Sequence, residues 1–358
     1  MRNPLLYENI KKFCETALVF LNNKAIEGLP FRTKGKIEVE ESGGCSYDYV
    51  DEIDWDRFVR TNKQILMEGD AYKAAIEAMK EDGKISKHLD MLVGSPISSR
   101  SRNDCHEFLQ RMLALLLHEQ KAISFQKNIF DQVYGKMEDY FYREVLEYRY
   151  LSLIENFQME SGKIELAPKF SIIRISKEDR EEILSELITY PLIDLPASAF
   201  LDNQYAFELF IEAPKVFGDV PANAQTEFLD KNPTKKFDEA CSALRLFKKG
   251  QILHKIICSK PKYWQPFDYG TSFSYSYGRS FPGAQYVLSN KEIPNFLEVW
   301  KLYQRTRQLK RKKVEIAIHR FDFSYEKQTF EDKLIEYIIG FEALLLPNVN
   351  QELGYRLA

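Results

Sequence analysis

Cleaving a phosphodiester without a metal takes an imidazole that moves the proton and a guanidinium that steadies charge on the phosphate, both on one surface. Five histidines are available for that pairing: His88, His106, His118, His254 and His319. Arg100 precedes His106 with five residues between, and Arg111 precedes His118 with six. Among 18 arginines, about one such spacing arises by chance. The first pair begins in a Ser/Pro loop. The second shares one helix face, where a polar flank on a Leu-rich helix explains it equally well. His254, among Ile252, Ile256 and Cys258, reads as a satisfied core histidine, since no second His or acid stands at metal-ligand spacing. His319 follows the basic run Arg305, Arg307, Lys310, Arg311, Lys312 and Lys313. At helical spacing Arg307, Lys310 and Arg311 share a face. These three and His319 are the candidate nucleic-acid contacts, with a solvated helix surface as the simpler alternative. Phe273, Tyr275 and Tyr277 alternate as a base-stacking strand would, although core packing is the simpler account.

Several other chemistries are excluded. There is no Gly-rich phosphate loop, no G-x-S-x-G and no H-E-x-x-H, which removes the common nucleotide, hydrolase and zinc-protease readings. Asp48, Asp51, Glu52, Asp54 and Asp56 crowd one segment but do not follow the calcium-loop template, so no metal or other cofactor is expected. The five cysteines are odd in number and form no C-x-x-C pair, which fits reduced thiols in the cytoplasm. A net charge of -3 gives no global pull toward nucleic acid or membrane, so any polyanion site must be local. No apolar run reaches membrane-spanning length.

The elements that must position these residues fall into three parts. Residues 1–147 read as a helical region. It starts with an amphipathic helix on Leu6, Ile10, Phe13, Ala17 and Phe20 and continues with helices near 55–67, 69–81, 104–122 and 124–147. Between them, 33–58 is polar and acidic enough to read as a solvated linker, and proteolysis is expected to cut first within 33–54 and near 220–236. From 148 the pattern alternates, giving short strands at 149–154, 163–166, 170–175 and 205–211. Ser176 and Asp179 open a helix with a capping box, and a helix-to-strand join or hairpin is expected at Gly250. This β-rich domain runs to 290, and 291–358 is helical again. The expected class is α+β: a helical N-terminal segment, a β-rich middle domain and a helical C-terminal part.

That last part holds one further residue of interest. In Glu331–Leu346 the apolar positions Leu334, Ile335, Tyr337, Ile338, Ile339, Phe341, Leu345 and Leu346 cover more than half the helix circumference, and Glu342 falls within them. A carboxylate there needs a cation or several donors. Arg356, on the helix expected after Pro347, is the nearest candidate, and Glu342 and Arg356 are expected to form a structural buried pair.

The run EDKLIEYIIGFEALLLPN, followed by QELGYRLA, resembles the first part of an ApeA-like HEPN domain. That domain is a helical bundle found in many prokaryotic and phage-defence proteins, several of which are ribonucleases. Asp332, Glu342, Glu352, Leu353, Tyr355, Arg356 and Leu357 match its pattern in place. The match covers only the C-terminal end, with weaker echoes in IIRISKEDREEIL and ALRLFKKG. The family's catalytic Arg and His lie downstream of this motif. The resemblance therefore implies an RNA endonuclease or RNA-binding protein of defence type whose catalytic pair is expected beyond Ala358, leaving this chain alone inactive. The competing expectation is a non-catalytic sensor, its β-rich domain binding a protein partner or phage component. In both, homo-oligomers form through the C-terminal helices, whose apolar face is left open where the chain stops.

Overall fold

The computed structural model describes residues 2–39, 45–89, 92–93, 101–102, 105–189, 204–214, 232–263, 272–275, 285–309 and 311–345. The chain begins with α1 (Pro4–Ala25), where Pro4 takes the first turn and the Asn3 side chain accepts from the Leu6 amide. A hairpin follows, β1 (Phe31–Val39) and β2 (Cys45–Ile53), and then α2 (Trp55–Thr61), α3 (Lys63–Glu68), α4 (Asp70–Glu81) and α5 (Gly83–Leu89). The short pair β3 (Leu92–Val93) and β4 (Ser101–Arg102) leads to α6 (Cys105–Gln120) and α7 (Lys127–Tyr142). Leu6, Ile10 and Phe13 of α1 bury against Phe108 and Leu113 of α6 and Phe130 and Met137 of α7 in one core. Asp82 closes that core at its rim. Its carboxylate accepts from the Lys84 and Ile85 amides at the start of α5, from Asn3 before α1 and from Tyr142 of α7.

The second core is built on a six-stranded antiparallel sheet. Its strands are β5 (Val145–Glu155), β7 (Lys163–Ala167), β8 (Phe170–Arg174), β9 (Tyr205–Pro214), β10 (Leu253–Pro261) and β11 (Ser272–Tyr275), in the order β11-β10-β5-β9-β8-β7. A separate parallel pair joins β6 (Phe157–Met159) to β12 (Tyr286–Leu288). Period-two alternation gives the sheet two apolar faces. Leu151, Leu153 and Ile173 point toward Ile183 of α8 (Lys177–Thr189), whose start is capped as expected, the Asp179 amide donating to Ser176 Oγ at 3.0 Å. Ile172, Phe207 and Ile257 point the other way, onto Phe237 of α9 (Pro233–Phe247) and Trp300 of α10 (Ile293–Gln308). There Phe207 and Phe237 stack with centroids 5.7 Å apart, and Trp300 Nε1 donates to the Leu166 carbonyl at 2.8 Å. The chain ends in α11 (Lys312–Ser324) and α12 (Phe330–Leu345).

The mixed α+β class stands, and two boundaries change. The acidic stretch expected as a linker is the β1–β2 hairpin, paired from Phe31↔Ile53 to Val39↔Cys45. Its polar side chains pair across the strands, Arg32 in an ion pair with Glu52 and Thr33 donating to Asp51, so a charge-rich composition coexists with a ladder. The hairpin leaves the helical core to lie on α8. There the Ile37 amide donates to Ser185 Oγ and the Val39 amide to Glu181 Oε1, each at 2.9 Å. The boundary expected at 290 cuts through a core: Phe296, Trp300 and Tyr303 of α10 are buried with the sheet residues. A helical pattern after a β-rich stretch signals a new element, and here it packs back on the same sheet.

Candidate functional site

Two places merit a functional reading: a polar notch where α9, α10 and α11 converge, and the outer face of the α11–α12 pair.

The notch is assembled from single polar residues set in apolar runs. Asp322 lies between Phe321 and Phe323, and Arg245 between Leu244 and Leu246. Arg245 donates to Asp322 at 3.1 Å and to the Ile252 carbonyl at 2.7 Å, and its guanidinium lies 4.6 Å from the centre of the Tyr325 ring. Ser242 donates to the other Asp322 oxygen. Burial pushes the Asp322 carboxyl above its ordinary range despite the opposing pull of Arg245 and Ser242. Burial likewise pushes the Tyr303 and Tyr325 hydroxyls up to about 12. A carboxyl whose folded-state pKa is raised contributes stability below its ordinary pKa of 3.8, and that contribution is lost as pH rises. Urea melts of wild type and Asp322→Asn should therefore show the wild type losing ground as pH rises from about 4 through the raised folded-state value, and levelling off above it. A difference independent of pH would show that Arg245 fully offsets the desolvation.

Next to the notch stands a Ser–His–Asp constellation. His254 on β10 meets Asp238 of α9 at 2.9 Å through Nε2 and Ser152 of β5 at 3.0 Å through Nδ1. The acceptor-only carboxylate makes Nε2 the donor, so Nδ1 accepts from the serine hydroxyl. Two features separate this from a nucleophilic triad. Ser152 is 0% exposed in the middle of a sheet, and the carboxylate is solvent-facing where a triad has it buried. The relay ties α9 to two strands, as expected for a satisfied core histidine.

The basic run is divided by the fold. Helix α10 ends at Gln308 and α11 starts at Lys312, so Arg307 and Arg311 stand on different elements and the shared face is lost. Arg307 turns inward to within 3.8 Å of the buried Glu239. Arg311 is exposed at the N-cap of α11, His319 is exposed with its ring near Phe323, and Lys310 lies outside the described residues. Of the Arg–His spacings, Arg100 is outside the described residues, and His106 bonds the Tyr72 hydroxyl at 2.8 Å. Arg111 is held by Glu107 at 2.7 Å, with His118 exposed further along α6. The strand positions Phe273 and Tyr275 fall on β11, and Tyr277 lies outside the described residues.

The buried acid of the last helix is Glu336. Glu342 is half-buried, and Arg356 lies outside the described residues. Glu336 is 6% exposed and meets Arg320 at 3.2 Å and Lys327 at 3.5 Å. The reason is which side of α12 faces inward. Ile339, Gly340 and Ala343 turn toward α11, the last two small enough for close approach, and Glu336 shares that side. The larger apolar residues are outside. Leu334, Ile335, Ile338, Phe341 and Leu345 are 46, 50, 48, 62 and 78% exposed along one stripe. Beside it, Val314 and Ile318 of α11, Phe341 and Leu344 of α12 and Leu246 of α9 line an apolar cavity of about 280 Å³.

Among the described residues no group of His, Cys, Asp or Glu is arranged to hold a metal ion, and no helix is long and apolar enough to cross a membrane. No family model, curated protein or solved structure matches the chain.

Proposed function

We propose that this is an ApeA-like HEPN protein of prokaryotic or phage-defence type, acting on RNA in the cytoplasm, and that it works as a homo-oligomer assembled through α12. The RNA part is supported by the resemblance over 331–358 alone. The assembly part is carried by one observation, the open stripe Leu334–Ile335–Ile338–Phe341–Leu345. A contiguous apolar surface of this kind marks a contact site, and its residues are the ones that a helical bundle buries. Cys14, Cys241 and Cys258 are buried thiols outside any disulfide, which supports a reducing compartment.

The second reading, a non-catalytic sensor of a protein or phage component, is favoured by the notch. Arg245 and His254, the cation and imidazole that share this corner, are saturated by Asp322, Asp238, Ser152 and the Ile252 carbonyl. Neither is free to meet a phosphate.

Two measurements on the whole chain test the assembly and separate the RNA reading from the sensor. In analytical ultracentrifugation the wild type should self-associate, and Ile338→Glu should weaken that association by at least about a hundredfold, because it places a charge in the contact. A wild type that stays monomeric at high concentration removes the assembly reading. Salt-sensitive binding of single-stranded RNA in a gel shift supports the RNA reading, and no binding at low salt leaves the sensor.

A further inference from the structure

We propose that two copies of this chain pair their α12 helices antiparallel, with the acidic first turn of one α12 beside the basic N-terminus of the other copy's α11. The proposal rests on the assembly reading above and specifies its register.

The α11–α12 hairpin places the charges. An added Cβ on Gly340 would lie 3.4 Å from the Ala317 carbonyl, the Phe321 and Tyr337 rings are 6.1 Å apart, and Arg320 meets Glu336 at 3.2 Å. From Ala317 against Gly340 to Arg320 against Glu336 the contact moves forward on α11 and back on α12, so the two helices are antiparallel. Carried outward by the same offset, Arg311 and Lys312 stand beside the Leu344–Leu345 end of the stripe. Glu331 and Asp332 stand at the opposite end. All four are exposed. The open stripe thus has a cationic end and an anionic end.

That polarity decides how a second copy can lie on it. A parallel pairing brings carboxylates onto carboxylates and cations onto cations. An antiparallel pairing about a two-fold axis through Ile338 brings opposite charges together at both ends, and Ile335 of each copy onto Phe341 of the other. The α11 N-terminus adds to the preference. Cations there oppose the helix dipole, and the Arg311 cap supplies no side-chain acceptor, so a carboxylate from the other copy improves both. The contact is apolar along Leu334, Ile335, Ile338, Phe341 and Leu345, with the half-buried Glu342 at its margin, and complementary in charge at its ends.

The test is charge reversal in the whole chain, read by sedimentation equilibrium at low salt. Glu331→Lys with Asp332→Lys should weaken self-association about five- to tenfold, and Arg311→Glu with Lys312→Glu by a similar factor. All four together should return to within about twofold of wild type, because the ends again carry opposite charges. Raising the salt should shrink every one of these differences. Circular dichroism of each variant guards against a frayed α11 or α12. The first double variant touches no candidate RNA contact, so its effect reports association. A fourfold variant no tighter than the double variants overturns the antiparallel register. If Ile338→Glu still disperses the assembly in that case, the assembly reading survives without it. A wild type that does not associate ends both.

Discussion

Trp300→Ala should destabilise the β-sheet core by about 3–5 kcal/mol. The indole is 4% exposed and sits edge-on to Phe170 at 5.9 Å and parallel to Tyr303 at 6.2 Å. Its removal opens a cavity in the centre of the layer and also leaves the Leu166 carbonyl without the indole donor. The informative part is where the loss is felt. If α10 belongs to the same cooperative unit as the sheet, urea melting followed on strand and helix signals should shift together. If α10 were the start of a separate domain, the sheet transition would stay in place while a local helical transition moved. The second outcome would restore a boundary at 290.

Gly250→Ala should cost about 1–3 kcal/mol through overpacking. Gly250 lies in the join between α9 and β10, and a Cβ there would stand 2.7 Å from Tyr286 Cδ2 and 3.0 Å from Tyr286 Cβ. The ring cannot step aside cheaply. It is 0% exposed, its hydroxyl donates to the Leu244 carbonyl at 2.9 Å, and it stacks on Phe157 at 5.7 Å. Gly135 supplies the contrast. It is exposed within α7 with nothing within 4 Å of an added Cβ. Gly135→Ala should therefore stabilise by about 0.5–1 kcal/mol, the usual gain from removing a helical glycine. Thermal or urea melts of the two variants should move in opposite directions; movement in the same direction would remove the steric account of Gly250.

Much of the fold was legible wherever burial follows simple periodicity. The sheet strands β5, β7, β8 and β9, the Ser176 cap and the long helices α6 and α12 all lie where alternation or helical spacing put them. The β1–β2 hairpin was not. Only Ile37 and Val39 among its described side chains are buried, so the alternation that marks a strand is carried by two residues among many charges. The break between α10 and α11 was expected, but with α10 ending at Gln308 and α11 starting at Lys312 it undid the face assigned to Arg307, Lys310 and Arg311. On α12 the apolar spacing marked the helix and misjudged its inner side. The side facing α11 carries Gly340 and Ala343 beside Ile339, while most of the larger apolar residues face out, so Glu336 is the buried acid and Glu342 is half-buried. The polar notch had a usable signal. Asp322 in RFDFS and Arg245 in ALRLF are lone charges inside apolar runs, the same pattern that drew attention to Glu342.

The clasp between β1 and α8 has a consequence for how the two cores influence each other. Two of its bonds end on side chains, Ser185 and Glu181, so rotamer changes on α8 weaken it while every β1–β2 ladder bond stays intact. At about 1 kcal/mol each, the bonds together are worth roughly a thirtyfold change in an equilibrium. A ligand that turned one of these side chains on the sheet unit would loosen the hairpin of the helical unit about fivefold, one that turned both by up to about thirtyfold, and by reciprocity an event at the hairpin would alter that ligand's affinity equally. The joint is therefore a thermodynamic link whose strength combines the buried Ile37 and Val39 side chains with two acceptors, and it is adjustable by substituting either acceptor.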